Sequence, residues 1–174
     1  MRMQDILTAI VYVLPAYVAN GAPVVILRLI GSGHPIDRGK TLRDGRRLLG
    51  DGKTLEGLVS GLATGLLTAI AIQISIPWLY RGPPEYTLLP VGAMVGDLLG
   101  SFLKRRIGLE RGRPAPVLDQ LGFMAAALLL ASLPYGPPSW LDSSTLTLIL
   151  LVTAILHVST NALAYLAGLK DKWY

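Results

Sequence analysis

The sequence has no cysteine and few charged residues. Because none of its 174 residues is cysteine, disulfide bonds and thiolate chemistry are excluded. Asp, Glu, Lys and Arg together make up 16% of the chain, whereas a typical soluble domain contains about 25%. Hydrophobic residues make up 52%, and the mean hydropathy is +0.51. This composition indicates an integral membrane protein.

The sequence also lacks a P-loop, although Gly52-Lys53-Thr54 matches the end of one. The first glycine of the pattern G-x-x-x-x-G-K-[ST] would stand where the chain has Arg47, and no β-rich run precedes it. A glycine-rich turn with a lysine still suits an anion, because its backbone N–H groups and its ammonium are positive. The turn therefore remains a candidate phosphate-binding element.

Five apolar stretches are predicted to be membrane-spanning helices. Each approaches or exceeds the roughly 18–20 residues that cross a ~30 Å hydrocarbon layer, where the backbone must satisfy its own hydrogen bonds. We find no internal repeat and no separate soluble domain, so residues 1–174 are expected to form one all-α polytopic membrane domain. The expected helices cover residues 6–27, 57–80, 86–103, 117–135 and 145–169, and the two long charged loops cover residues 28–56 and 104–116.

Lys and Arg are distributed unequally between the two sides of the predicted bundle. The two long loops and the C-terminal tail carry seven, five and two of the 16 basic residues, and only Arg2 and Arg81 fall on the other side. The positive-inside rule then predicts an outer N-terminus, a cytoplasmic C-terminus and a site facing the cytoplasm of a cell membrane. The net charge of +5 is thus explained by topology, and no nucleic-acid partner is expected.

Two aspartates are predicted to lie inside the membrane boundary. Asp97 is about six residues, or roughly 9 Å, from the cytoplasmic end of the third helix, and Asp119 is near the start of the fourth. An unpaired carboxylate at this depth costs on the order of 2–3 kcal/mol or more, so it needs a partner or an ion. The short loop between these helices lets the two carboxylates face each other and form a Mg²⁺ site.

Further polar residues accompany the aspartates. Ser101 and Lys104 share the helical face of Asp97, an arrangement that suits phosphoryl or nucleotidyl transfer. The basic run that starts at Lys104 is explained equally well as a topology signal. Asn20 is expected to line a cavity where Gly-Ala-Pro breaks the first helix. His157 and Asn161 share a face of the fifth helix, for which interhelical hydrogen bonding is the favoured interpretation.

Glycines spaced four residues apart form two ridges, on the second and third predicted helices. Such ridges mediate close helix packing. The sequence leaves open whether that packing occurs within the chain or in a homodimer.

The segment Gly96–Phe123, GDLLGSFLKRRIGLERGRPAPVLDQLGF, resembles the signature of CTP-dependent cytidylyltransferases that make CDP-activated lipids. Their pattern is S-x-x-K-R, a loop, a proline and an element ending D-R-x-D. Ser101, Lys104 and Arg105 match its first part, and Asp119 matches the start of its last part. Together with NGAPV (20–24), PIDRGKTLRDGRRLLGDGKTLEG (35–57) and HVSTNALAYLAGLKD (157–171), nearly the whole chain is similar to the smaller archaeal branch, the CDP-archaeol synthases.

The resemblance implies a Mg²⁺-dependent reaction between two substrates, CTP (or dCTP) and an isoprenoid glycerol-phosphate lipid. A phosphate oxygen of 2,3-di-O-geranylgeranylglycerol 1-phosphate would attack the α-phosphorus of CTP, so that CDP-archaeol forms and pyrophosphate leaves. Asp97 and Asp119 would be catalytic metal ligands, and the catalytic Lys104 would neutralise phosphate. The implied binding residues are Asn20, Asp51, Gly52, Lys53, Thr54, Glu56, Ser101, Arg105, Arg111, Arg113 and Pro116.

One departure from the family pattern affects the number of metal ions. The second acid of D-R-x-D would stand where the chain has Gly122, and Gln120 replaces the arginine. A second metal would need another ligand, such as Asp51 or Glu56. Two alternative functions remain open. The first is a small polytopic acyltransferase of the glycerol-phosphate type, because GSGHP (31–35) faintly resembles a loop of those enzymes. The second is a transporter subunit that buries the same aspartates.

Overall fold

The structure is a computed structural model that describes residues 3–109, 113 and 115–169. These residues form five helices: α1 (Met3–Ile30), α2 (Leu55–Ser75), α3 (Pro83–Arg106), α4 (Pro116–Ser132) and α5 (Ser143–Leu166). Four of them, α1, α2, α3 and α5, are long and apolar enough to cross a membrane. The apolar part of α4, Leu121–Ser132, is shorter. The predicted all-helical architecture is therefore confirmed, with four membrane-length helices among the described residues.

Several predicted helix ends need correction. α2 ends at Ser75 rather than at residue 80, because Pro77 disfavours a helical residue before it. α4 ends at Ser132 rather than at 135. α5 ends at Leu166 rather than at 169, where Gly168 turns the chain with a φ of 69°. α1 and α3 extend beyond both predicted ends, so the first charged loop covers residues 31–54 and the second 107–115.

The predicted break in α1 is wrong. The helix continues through Gly21 and Pro23 to Ile30. A helix inside a membrane tolerates proline where neighbouring groups satisfy the freed carbonyl. Asn20 therefore projects from a continuous helix.

Glycine ridges let the central helices approach closely. A Cβ at Gly61 of α2 would lie 2.7 Å from the carbonyl oxygen of Ala19 in α1. A Cβ at Gly96 of α3 would lie 2.6 Å from the carbonyl oxygen of Gly122 in α4. Both ridges thus pack within one chain, and the homodimer stays a prediction. The buried core beside these contacts includes Ala9, Tyr12, Val13, Leu89, Ala93, Met124 and Ala127.

A buried glutamate, Glu85, links several elements at the end of the bundle opposite the two charged loops. Glu85 is 1% exposed, and its carboxylate accepts hydrogen bonds from the Tyr12 hydroxyl at 2.7 Å and from the Arg81 backbone N–H at 2.6 Å. The Arg81 guanidinium pairs with Glu85 at 2.6 Å. It also donates to the carbonyls of Tyr135 and Gly136. This network joins α1, α3 and the connection between α4 and α5.

Candidate active site

A cavity of about 650 Å³ opens at the end of the bundle that carries the charged loops. Its volume falls within the roughly 300–1,000 Å³ typical of small-molecule sites. Its walls come from α1, α2, α3 and α5, from the start of α4, and from the loop between α1 and α2. The sequence-predicted site residues that line it are Asn20, Gly52, Lys53, Thr54, Asp97, Lys104, Arg113 and Asp119.

Lys53 reaches into the cavity from a short extended segment. The backbone N–H of Ile36 donates to the carbonyl of Lys53 at 2.8 Å, within an isolated bridge that pairs Pro35 with Thr54. Thr54 then caps α2, because its hydroxyl accepts a hydrogen bond from the backbone N–H of Gly57 at 3.1 Å. The glycine-lysine-threonine turn therefore leads directly into α2, and backbone pairing with residues 35 and 36 holds it in place.

The two predicted aspartates each form an ion pair with a lysine. The Lys53 Nζ lies 2.5 Å from Asp97 Oδ2, and the Lys104 Nζ lies 2.5 Å from Asp119 Oδ1. The second oxygen of Asp119 accepts the backbone N–H of Ala115 at 2.9 Å, at the start of α4. All four charged side chains are between 17% and 29% exposed. One cavity therefore presents two carboxylates and two ammonium groups.

The two acids considered as additional metal ligands are not among the residues that line the cavity. Asp51 is 58% exposed and pairs with Arg47 at 2.8 Å. Glu56 accepts the backbone N–H of His34 at 2.7 Å and lies 2.5 Å from its Nδ1. Among the described residues, no group of three or more His, Cys, Asp or Glu side chains gathers at one point.

Two further predicted binding residues, Ser101 and Arg105, are not among the residues that line the cavity. Ser101 is buried at 5% exposure. The guanidinium of Arg105 donates to the carbonyl of Leu49 at 3.4 Å, so it contacts the loop between α1 and α2. Arg111 lies outside the described residues, and of Pro116 the structure describes only the backbone, which opens α4.

Polar residues of α5, which are not among the predicted binding residues, form one wall of the cavity. His157, Thr160 and Asn161 all line the cavity. The spacing of His157 and Asn161 puts them on one helical face, and this face lines the cavity. A polar cluster near the end of an otherwise apolar helix was the signal available in the sequence.

Asp37 organises the loop between α1 and α2, a role that no motif or spacing in the sequence predicts. Its side chain is 1% exposed and pairs with the Arg47 guanidinium at 2.5 Å. It also accepts the backbone N–H groups of Leu49 at 3.0 Å, Gly50 at 2.9 Å and Gly39 at 3.2 Å. The Arg47 guanidinium and these N–H groups hold the pKa of Asp37 well below its usual range, although burial opposes the shift.

Arg106 anchors the tip of the same loop to the end of α3. Its guanidinium contacts both carboxylate oxygens of Asp44, at 2.7 and 2.8 Å, and donates to the carbonyl of Arg47 at 2.5 Å. A hydrogen bond from the backbone N–H of Arg46, together with the Arg106 pair, lowers the pKa of Asp44. The basic run on α3 thus has two structural partners in this loop besides the Asp119 pair.

These features define a class of protein: a helical membrane protein with a polar, charge-paired cavity at one end of its bundle. Comparison with known families is more specific. Residues 2–174 match the model of the family described as CarS-like, CDP-archaeol synthase. The chain belongs to the CDP-archaeol synthase family. The resemblance drawn from its sequence is therefore confirmed, as is its classification as an enzyme of the nucleotidyltransferase type.

Individual relatives match the chain over almost its whole length. A CDP-archaeol synthase of Methanopyrus kandleri is 46% identical over 164 residues, covering 92% of this chain and 88% of the relative. A CDP-archaeol synthase of Pyrococcus furiosus is 45% identical over 174 residues, covering 98% and 97%. A solved structure, described as an intramembrane enzyme for archaeal membrane lipids biosynthesis, is 41% identical with a TM-score of 0.77. The match covers 90% of this chain and 94% of that one.

Proposed function

We propose that the protein transfers the cytidylyl group of CTP, or dCTP, to the phosphate of 2,3-di-O-geranylgeranylglycerol 1-phosphate. The products are CDP-archaeol, for archaeal phospholipid synthesis, and pyrophosphate. The observation that carries the proposal is the placement of two Lys–Asp pairs, Lys53–Asp97 and Lys104–Asp119, in the wall of one cavity. Family membership supports the identity of both substrates.

The donor set of the cavity fits Mg²⁺. Asp97 and Asp119 offer only oxygen ligands, and Mg²⁺ is commonly bound by one or two carboxylates together with substrate phosphates. When bound, the ion would neutralise charge on the reacting α-phosphate and on the leaving pyrophosphate. This assignment needs no further acid, which agrees with the glycine at position 122.

Two lysines of the cavity wall, Lys53 and Lys104, supply positive charge for the phosphates of the substrates. Lys53 and Lys104 end in ammonium groups on flexible four-carbon stems, so each can turn from its aspartate to a phosphate oxygen. Arg113, which also lines the cavity, adds a third cation. Neutralising the triphosphate lets the anionic lipid phosphate approach, and preorganised charges of this kind are a large part of phosphoryl-transfer catalysis.

The bond changes are those of a single displacement. An oxygen of the lipid phosphate forms a bond to the α-phosphorus of CTP, and the bond from that phosphorus to the oxygen bridging the α- and β-phosphates breaks. The electron pair leaves with pyrophosphate, whose charge the lysines stabilise. No proton transfer to a protein base is required, because the lipid phosphate is already an anion.

A substrate-specific assay separates this proposal from its rivals. Purified protein in detergent is incubated with Mg²⁺, CTP and the lipid phosphate, and pyrophosphate and the CDP-lipid are quantified. We expect equal amounts of both products from the parent and a collapse in Asp97→Asn and in Asp119→Asn. Asp44→Asn is the matched control, since Asp44 contacts Arg106 outside the cavity. An acyltransferase or a transporter would release no pyrophosphate from CTP.

We also propose that five spans place the N-terminus outside and the cavity at the cytoplasmic surface. α4 is the short span, and the charge asymmetry of the loops supports the orientation. Because the chain has no cysteine, each introduced cysteine is a unique label. Lys40→Cys should react only with a reagent that reaches the cytoplasm, and Ser139→Cys only with an external, impermeant reagent. The reverse pattern would refute the orientation.

A further inference from the structure

We propose that Asp37 is a positioning residue that holds Lys53 in contact with Asp97 and thereby prepares the cavity for the nucleoside triphosphate. The inference rests on the proposed function for its catalytic consequence, while its structural part can be tested without substrate. Asp37 does not line the cavity; it acts through the loop that carries Lys53.

Donors from four residues converge on the carboxylate of Asp37. The Asp37 carboxylate is 1% exposed. It accepts hydrogen bonds from the Arg47 guanidinium and from the backbone N–H groups of Gly39, Leu49 and Gly50. A buried carboxylate is tolerated only when it is paired and hydrogen-bonded. These bonds join the start of the loop to residues 49 and 50, so they close residues 37–50 into a ring.

Backbone hydrogen bonds connect this ring to Lys53. The residue before Asp37, Ile36, donates its backbone N–H to the carbonyl of Lys53 at 2.8 Å. On the other side, the Lys53 N–H donates to the carbonyl of Gly50 at 3.2 Å, and Gly50 is itself held by Asp37. Lys53 is therefore held on both sides by backbone groups adjacent to the Asp37 cluster.

A side chain of α3 holds the ring against that helix. The Arg105 guanidinium donates to the carbonyl of Leu49, whose N–H is bonded to Asp37. The loop is thus held to the helix that carries Asp97. With the backbone of residue 53 located in this way, its side chain reaches the 2.5 Å contact with Asp97. Loss of the Asp37 charge should release the 49–53 segment and lower the fraction of molecules in which Lys53 is in place.

The kinetic test is a double-mutant cycle. Asp37→Asn, Lys53→Met and the double variant are assayed with CTP and lipid phosphate varied separately. We expect Asp37→Asn to lower kcat/KM for CTP by about tenfold, the size of one lost charge-assisted hydrogen bond. The KM for the lipid should change by less than about twofold. In the Lys53→Met background, Asp37→Asn should cost less than about twofold, because residues acting through one group are not additive. A full tenfold loss in both backgrounds would overturn the proposal.

The second test measures backbone protection by amide hydrogen exchange in detergent, without substrates. Asp37→Asn should accelerate exchange in segment 49–53, while the matched variant Asp44→Asn, in the same loop but bonded to Arg106, should leave that segment protected. Unchanged protection in Asp37→Asn, or equal loss in Asp44→Asn, would refute the positioning role. If Asp37→Asn loses protection but the parent makes no CDP-lipid, the proposed function fails and the structural role of Asp37 stands.

Discussion

Lys53 Nζ lies 2.5 Å from Asp97 Oδ2, across 44 residues of sequence. This contact joins the loop between α1 and α2 to the interior of α3. Both side chains are about three-quarters buried, at 24% and 29% exposure. A pair that lines a cavity in this way can exchange its internal contact for contacts with a bound anion and its cation.

Replacing Lys53 should therefore impair nucleotide use more than folding. We expect Lys53→Met to lower kcat/KM for CTP by about 10²-fold, the cost of removing one group that stabilises transition-state charge. Lys53→Arg should recover part of this loss because it restores the charge. Steady-state kinetics with each substrate varied would measure the effect, and Lys40→Met, an exposed lysine of the same loop, is the control. Equal losses in the two methionine variants would show a general effect of loop charge.

Much of the helical framework was predictable from local sequence. Membrane-length apolar runs need only hydropathy and the 1.5 Å rise of a helix. It was also predictable that Asp97 and Asp119 would have charged partners, because a carboxylate in a membrane helix needs a partner or an ion. Lys104 follows from the same helical face as Asp97, although its structural partner is Asp119.

Contacts between distant segments were not predictable in this way. The bond between Lys53 and Asp97 depends on how a loop folds over a helix, and no periodicity encodes that. Asp37 sits in a charged loop and looks like any solvated acid until four groups of the same loop converge on it. The α5 wall depends on the rotation of a helix whose polar residues, His157 and Asn161, favoured the interpretation of interhelical hydrogen bonding.

Gly96 and Gly122 offer a matched test of helix packing. A Cβ at Gly96 would lie 2.6 Å from the carbonyl oxygen of Gly122, whereas a Cβ at Gly122 would lie 4.0 Å from the carbonyl oxygen of Gly96. We expect Gly96→Ala to destabilise the protein by about 1–3 kcal/mol, the usual cost of overpacking. Gly122→Ala should be neutral or stabilising, because alanine favours helix by about 1 kcal/mol. Thermal unfolding in detergent would rank the variants, and equal midpoints would contradict the close approach of α3 and α4.

Glu85 should matter for stability and not for nucleotide binding. Removing its carboxylate takes away the anionic partner of the Arg81 guanidinium, which keeps its two carbonyl acceptors, and the acceptor of the Tyr12 hydroxyl. We expect Glu85→Ala to cost about 3 kcal/mol, at the lower end for a broken buried pair, because Arg81 is 38% exposed. Tyr12→Phe should cost about 1 kcal/mol, the value of one hydrogen bond.

The measurement for Glu85 combines unfolding with kinetics. Thermal midpoints in detergent give the loss of stability, and KM for CTP is measured at a temperature where each variant is folded. Because the Glu85 network lies at the end of the bundle opposite the charged loops, KM should match the parent. A raised KM would show that this network is coupled to the cavity.

The ion pair of Asp37 with Arg47 predicts how loop stability depends on pH. The Arg47 guanidinium, 2.5 Å away, holds the folded-state pKa of Asp37 well below its ordinary value of 3.8. A depressed pKa contributes stability that is complete above the unfolded-state value and is lost as pH falls through the folded-state value. The difference in thermal midpoint between the parent and Asp37→Asn should therefore stay constant from pH 7 to about pH 4.5 and shrink below the ordinary value. Arg47→Met removes the largest cause of the shift and brings the folded-state pKa of Asp37 closer to its ordinary value. The thermal midpoint of this variant should therefore fall by less than that of the parent as pH drops below about 4. Superimposable profiles for the parent and Arg47→Met would mean that the backbone N–H groups alone hold the Asp37 charge.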